Sequence, residues 1–394
     1  MKSVSALLIA SSVLAGTVVA DSSLSGKIEF SGVGFDMPYN PISKIDDNKN
    51  TCNCELSKDQ KWYSGINAPF SEPLAVHING PTQLKKFAYY TSDHFVVGKN
   101  TSAGWKRGAY FDNTESSPVM ENVTFLSHVG KDSNCFGKAL AFFSQDVQKQ
   151  EKVNTPPGKY LDVGSGVKYM IYSNITCPKS SINGGCGVYR SDTAAFYGFD
   201  GVTKMFLFEF TMPTDSMEGA SNAPAIWLSG DSLARVTNGY GYQSNCSCLF
   251  QGCGELNVFS ANATHMNSSM ITLQGANVRG NYSELFTGNI ASGTYLRPVN
   301  TTVTGGVILD SEGNVITFIN DSSSFDSELT ANAVNSMLDA LPQLGNTDQL
   351  KAGNLTAPSS TSSKNAGSVI ASTGGVWLYL FALLAATAHS VVGF

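Results

Sequence analysis

The sequence predicts an all-β protein, an amino-terminal β domain followed by a β-sandwich. Three observations predict it. Short runs rich in β-branched and aromatic residues recur between Gly, Asn and Pro turns, as in Leu74-Ala75-Val76-His77-Ile78, Met205-Phe206-Leu207-Phe208-Glu209-Phe210 and Ala225-Ile226-Trp227-Leu228. Gly reaches 38 of 394 residues, which suits a turn-rich chain. A convincing helical period covers only Ala331 to Leu341. With 42% hydrophobic residues the chain can bury a sizeable core, and its length suggests more than one domain. Charged residues make up only 14%, and the formal net charge of −6 argues against nucleic acid as a partner.

Residues 1–20 read as a secretory signal peptide. Lys2 supplies the positive start, Ala6 to Leu14 the apolar stretch and Val18-Val19-Ala20 the small-residue cleavage site. Residues 21–150 read as the amino-terminal β domain. Leu74 to Ile78 and Leu84 to Tyr90 are its clearest strands, with Asn79-Gly80-Pro81 as the turn between them. Trp62, Tyr63, Tyr89, Tyr90, Trp105, Tyr110 and Phe111 cluster here. Aromatic faces can stack on sugar rings, but for any one of them a place in the core is the simpler reading. His77, His94 and His128 are scattered and read as structural or surface residues. Lys149 to Pro157, followed by Gly158, reads as a linker. The sandwich domain follows at 155–345.

The end of the chain carries a second signal. Residues 346–365 form a stalk, Ser/Thr-rich from Thr356 to Ser363, that reads as O-glycosylated. Residues 366–394 end in an uncharged apolar tail that starts at Val376. Small residues, a polar spacer and such a tail form the signature of a GPI lipid anchor, with Asn365 as the attachment site and Gly367 as the alternative. A membrane-spanning anchor is the rival reading. The tail is short for one, and no Lys or Arg follows it.

Eight cysteines, Cys52, Cys54, Cys135, Cys177, Cys186, Cys246, Cys248 and Cys253, fit disulfides formed in an oxidising compartment. Cys177–Cys186 is a candidate local bridge around Asn183-Gly184-Gly185, and the other pairings stay open. Zinc is the rival reading of the Cys clusters. No His lies within a few residues of any Cys, so neither a metal nor a cofactor is expected. N-glycosylation sequons fall at Asn100, Asn122, Asn174, Asn245, Asn262, Asn267, Asn281, Asn300, Asn320 and Asn354, which suggests a heavily glycosylated surface.

The stretch that carries chemistry is Gly252-Cys253-Gly254-Glu255-Leu256-Asn257-Val258-Phe259-Ser260-Ala261. Read as a strand, it puts Glu255 and Asn257 on one face and Leu256 and Val258 on the other. A β-bulge after Asn257 would return Ser260 to the Glu255 face. This layout resembles the E-x-D-x-x-E active-site strand of the laminarinase-like enzymes, glycoside hydrolase family 16. In that family the first Glu is the nucleophile, the Asp an electrostatic helper and the last Glu the general acid/base. Here Glu255 keeps the first place, while Asn257 and Ser260 occupy the other two. Ile271 sits where relatives carry His.

A broader resemblance covers nearly the whole chain. Cys52-Asn53-Cys54, Lys61-Trp62-Tyr63-Ser64-Gly65, Cys177-Pro178-Lys179, Gly185-Cys186-Gly187-Val188-Tyr189-Arg190 and Thr203 to Phe210 resemble a yeast family of GPI-anchored cell-wall glycosyl hydrolases, related to the product of a "target of SBF" gene. The resemblance implies a concanavalin-like β-jelly roll for the carboxy-terminal domain, a β-1,3-glucanase ancestry, cell-wall β-glucan as partner, a monomer, and lodging in the wall and outer leaflet through the GPI lipid. It also implies Trp227 and Glu209 as substrate-binding residues.

Retaining hydrolysis needs two carboxyl groups roughly 5–5.5 Å apart. A serine hydroxyl cannot serve as the acid near neutral pH. The expected function is therefore a GPI-anchored wall glycoprotein that binds or organises β-glucan with impaired catalysis. One alternative is an active hydrolase or transglycosylase that uses Glu255 with an acid from elsewhere, such as Glu284 or Asp231. The other is a structural mannoprotein without glycan selectivity.

Overall fold

The computed structural model describes residues 22–34, 37–48, 51–133, 136–144, 154, 161–178, 186–231, 235, 254–273, 286–321 and 323–347. The signal peptide, Asn365 and the tail lie outside these residues, as do Cys135, Cys246, Cys248, Cys253, Asn245, Asn281, Glu284 and Asn354. Two large sheets and one α-helix account for most of the described structure.

The first sheet has nine strands in the order Ser22–Ser23, Phe286–Leu296, His265–Leu273, Glu255–Ala261, Ala225–Gly230, Leu74–Asn79, Lys168–Ser173, Val123–Ser127 and Ala141–Phe142. The second runs Val119–Glu121, Trp105–Asp112, Thr82–Thr91, Lys204–Thr211, Val303–Leu309, Val315–Asn320, Gly26–Phe30 and Gln343–Thr347, with Leu161–Val163 and Glu328–Leu329 paired to its side. Period-2 alternation sends one set of side chains inward. Val76, Ile78, Ile226, Leu228, Leu256 and Val258 of the first sheet meet Phe87, Phe206, Phe208 and Phe210 of the second in one apolar core. Full burial of each such side chain contributes roughly 1.5–3 kcal/mol. The opposite set on the second sheet, including Met205 and Leu207, is covered by the helix Ala331–Ala340 through Val334 and Leu338. Thr330 caps that helix, its hydroxyl accepting a hydrogen bond from the Ala333 amide. The clustered aromatics divide accordingly. Tyr90, Trp105 and Phe111 are core residues, whereas Trp62 is exposed.

The division into two successive domains does not describe this arrangement. Leu74–Asn79 lies between Ala225–Gly230 and Lys168–Ser173, and Thr82–Thr91 lies between Trp105–Asp112 and Lys204–Thr211. Strands from both sides of the linker at 149–157 thus share both sheets. A Pro-rich segment signals a local break in regular structure, but pairing partners are chosen by long-range packing. The Asn79-Gly80-Pro81 turn likewise carries the chain from one sheet to the other rather than closing a hairpin. Gly80 is required there, because a Cβ would collide with the carbonyl oxygens of Val163 and Gly164.

Candidate functional site

The site is built on the outer face of the first sheet. Along Glu255–Ala261, Leu256, Val258, Phe259 and Ala261 all belong to the inter-sheet core. Two successive inward residues, Val258 and Phe259, are possible because the register shifts there. Asn257 pairs with Trp227 and Ser269, while Ser260 pairs with Ala225 and Asn267. This bulge leaves Glu255, Asn257 and Ser260 together on the outer face. Phe259 is held inward by stacking on Phe210, with ring centroids 5.3 Å apart, and by an edge contact with Tyr295.

Gly254 opens the strand in a place where a Cβ would lie 2.6 Å from the Phe70 ring and 3.0 Å from Pro69. The start of this strand therefore runs tight against the 65–73 turn.

The neighbouring strands set three rows across this face. Tyr172, Ala75, Ser229, Glu255 and position 271 form the first; Met170, His77, Trp227, Asn257 and Ser269 the second; Lys168, Asn79, Ala225, Ser260 and Asn267 the third. His77, Trp227, Ser229, Glu255 and Asn257 are buried, whereas Lys168, Ser260, Asn267 and Ser269 are partly open to solvent. Within the third row Asn79 and Ala225 are buried, so the partly open positions border the buried floor at Lys168 on one side and at Ser260, Asn267 and Ser269 on the other.

The His77 ring stacks on the Trp227 indole at 5.0 Å and 18°. Its Nε2 lies 2.8 Å from the Ser229 hydroxyl, and Ser229 stands opposite Glu255. Burial, reinforced by His128 and Lys168, pushes the His77 pKa down to about 3 and keeps the ring neutral at ordinary pH. Burial also lowers the Lys168 ammonium, an effect that the charge of Glu255 opposes. Asn257 donates to the Ser269 hydroxyl at 3.2 Å. Its Oδ1 is buried without a hydrogen-bond partner among the described residues.

The sequence-predicted residues separate into two groups. Glu255, Asn257, Ser260 and Trp227 come together. Trp227 is only 2% exposed and gives one ring face to His77, so it packs within the floor rather than offering an open platform. Glu209 is not part of the site. It lies on the outer face of the second sheet, on the far side of the sandwich, in an ion pair with Lys86 at 3.5 Å. The reason is again periodic: Phe206, Phe208 and Phe210 point inward, and that turns Glu209 outward from the other layer.

Asp231, a candidate acid from sequence, is buried in an ion pair with Arg235 and accepts the Gly198 amide hydrogen at 2.8 Å. Burial raises its pKa, and the Arg235 charge opposes that rise. His77, Ser229 and Lys168 were not singled out from sequence as site residues. The one available signal for His77 was its phase, opposite to Leu74, Val76 and Ile78.

Beyond Tyr172, Leu140, Phe142, Ala194 and Phe196 pack on the outer face. A pocket of 290 Å³ lies there between Phe142, Tyr189, Arg190, Phe196 and Arg235. The Cys177–Cys186 disulfide forms part of its wall. Cys54 is also disulfide-bonded.

Comparison with known proteins gives a consistent kinship. Residues 26–92 match the family model for the amino-terminal part, and residues 103–337 that for the carboxy-terminal part, of "Cell wall protein YJL171C/Tos1". The chain is 41% identical over 379 residues to a Saccharomyces cerevisiae protein named "Probable circularly permuted 1,3-beta-glucanase YJL171C", covering 93% of each. It is 40% identical to the Candida albicans protein named "Probable circularly permuted 1,3-beta-glucanase PGA52", covering 83% of this chain and 86% of that one. A Saccharomyces cerevisiae protein of the same description, TOS1, is 33% identical over 61% of this chain and half of its own length. No solved structure matches. Near-complete coverage at this identity, together with matches to both parts of the family model, establishes that the chain belongs to the YJL171C/Tos1 family of cell wall proteins.

Proposed function

We propose that this protein is a GPI-anchored wall glycoprotein that holds β-1,3-glucan on the Glu255–Ser260 face and hydrolyses it poorly or not at all. The observation that carries this reading is the outer face itself. The bulge aims position 260 to the same side as Glu255, and position 260 is a serine. On these three rows Glu255 is the only carboxylate among the described residues. A nucleophile without an acid leaves the glycosidic oxygen unprotonated as it departs. The loss of general acid help costs roughly 10²–10⁴-fold. Asn257 can form hydrogen bonds but brings no charge to the pair.

Binding has its own support. The buried Oδ1 of Asn257 is an acceptor without a partner among the described residues, a state that costs about 1–3 kcal/mol. A sugar hydroxyl would satisfy it. The relatives are named as circularly permuted 1,3-β-glucanases. A permutation changes where a chain begins while leaving strand neighbours in place, and here strands from both halves of the chain meet at the site. The leader at 1–20 and the signal at 366–394 support display on the cell surface.

The test uses the secreted protein. It should be retained on insoluble β-1,3-glucan, more weakly after Asn257→Leu, and should release no reducing ends from laminarin. Loss of selective retention would remove the binding reading. Laminarin hydrolysis that disappears in Glu255→Gln would establish an active enzyme instead.

A further inference from the structure

We propose that Asn267 carries an N-linked glycan that stands on the rim of the Glu255–Ser260 face and restricts glucan access to it. The inference rests on the glucan-binding reading and gives that site a regulator. Asn267-Ser268-Ser269 is a sequon, and among the described residues it is the only one inside a strand of the first sheet. Asn267 pairs with Ser260 on one side and Thr294 on the other. Its neighbours Met266, Ser268 and Met270 are buried against the core, and this alternation puts Asn267 on the outer face. It is partly open to solvent, and no hydrogen bond holds its amide among the described residues.

Other sequons are placed differently. Asn262 sits in the hairpin turn, where its Oδ1 accepts hydrogen bonds from the Thr264 and His265 amides. Asn122 and Asn174 lie just outside strands and contact each other at 3.2 Å.

Side chains directly opposite on antiparallel strands have Cβ atoms about 5 Å apart. The first sugar on Asn267 would therefore stand beside Ser260, among the partly open positions that border buried Asn257 and Glu255. A chain with a working acid at position 260 would have that acid shielded by such a glycan. A chain with serine there loses nothing catalytic by carrying it.

The modification precedes folding, because in the folded state the Ser269 hydroxyl is engaged by Asn257. The Asn267 amide nitrogen attacks the anomeric carbon of an oligosaccharide linked to a lipid diphosphate. The new C–N bond forms as the C–O bond to the diphosphate breaks. The amide gives up one proton, and the lipid diphosphate leaves.

The experiment compares the full-length secreted wild type, Asn267→Gln and Asn300→Gln. Glycopeptide mass spectrometry reads occupancy, and retention on insoluble β-1,3-glucan reads access. Asn267 should be occupied, and Asn267→Gln should bind roughly tenfold more tightly, whereas Asn300→Gln should bind as the wild type does. Endoglycosidase trimming of the native protein should raise retention of the wild type and leave Asn267→Gln unchanged, a readout that does not depend on the variant's folding yield. A bare Asn267, or an occupied one whose removal and trimming both leave retention unchanged, overturns the gate while the glucan reading stands. Absence of retention in every form overturns the glucan reading, and the gate falls with it.

Discussion

At the scale of the residue, the proposed chemistry turns on three positions that share the outer face of the first sheet. In that proposal Glu255 takes the place of a nucleophile, and Asn257 and Ser260 those of its helpers. If only the acid half is missing, a substrate whose leaving group needs no proton should bypass the loss. In the Asn267→Gln background, which keeps the neighbouring sequon bare, slow fluoride release from β-laminaribiosyl fluoride is expected. It should vanish on Glu255→Ala, as read with a fluoride electrode. Adding Asn257→Asp and Ser260→Glu to that background should raise laminarin hydrolysis by roughly 10²–10⁴-fold. Fluoride release that survives Glu255→Ala would exclude this carboxylate as the nucleophile. That Glu255 and Asn257 share a face was legible in sequence because strand phase is local. The His77–Trp227–Ser229 arrangement beside them was not, because it joins strands about 150 residues apart along the chain.

At the scale of the element, the Glu255–Ala261 strand works only because of its two irregularities. The bulge at Val258–Phe259 lets two apolar residues enter the core in succession and returns Ser260 to the outer face. Gly254 lets the strand begin against Phe70, a fully buried ring with little freedom to move. Gly254→Ala should therefore destabilise the protein by about 1–3 kcal/mol, the usual cost of overpacking a filled site, seen as a lower urea midpoint. It should also weaken glucan retention, because the strand start sets the position of Glu255. An unchanged midpoint would mean that Phe70 yields easily. The helix Ala331–Ala340 illustrates the opposite case. Its period and the capping Thr330 are local signals, and the element formed where the sequence placed it.

At the scale of the whole molecule, the interleaving of the two halves makes folding a single event. Leu74–Asn79 and Thr82–Thr91 occupy interior positions in the two sheets. Removing them would expose the edges of Ala225–Gly230 and Lys204–Thr211 and strip Val76, Ile78 and Phe87 from the core. A fragment spanning 155–345 should therefore fail to fold, giving no near-UV circular dichroism and no dispersed amide spectrum. Co-expression with 21–150 should restore both signals. An independently folded, monomeric 155–345 fragment would contradict this view.

The sequence by itself determined the class of the fold, the opposite faces of Glu255 and Asn257 against Leu256 and Val258, and the short bridge Cys177–Cys186. Each depends on periodicity or on residues close along the chain. Only the tertiary structure decided that the halves share two sheets, that Glu209 lies on the far layer, and that His77 and Lys168 stand near Glu255. Strand pairing is a long-range choice made by burying apolar faces against one another, and residue spacing along a single strand carries no record of its partner.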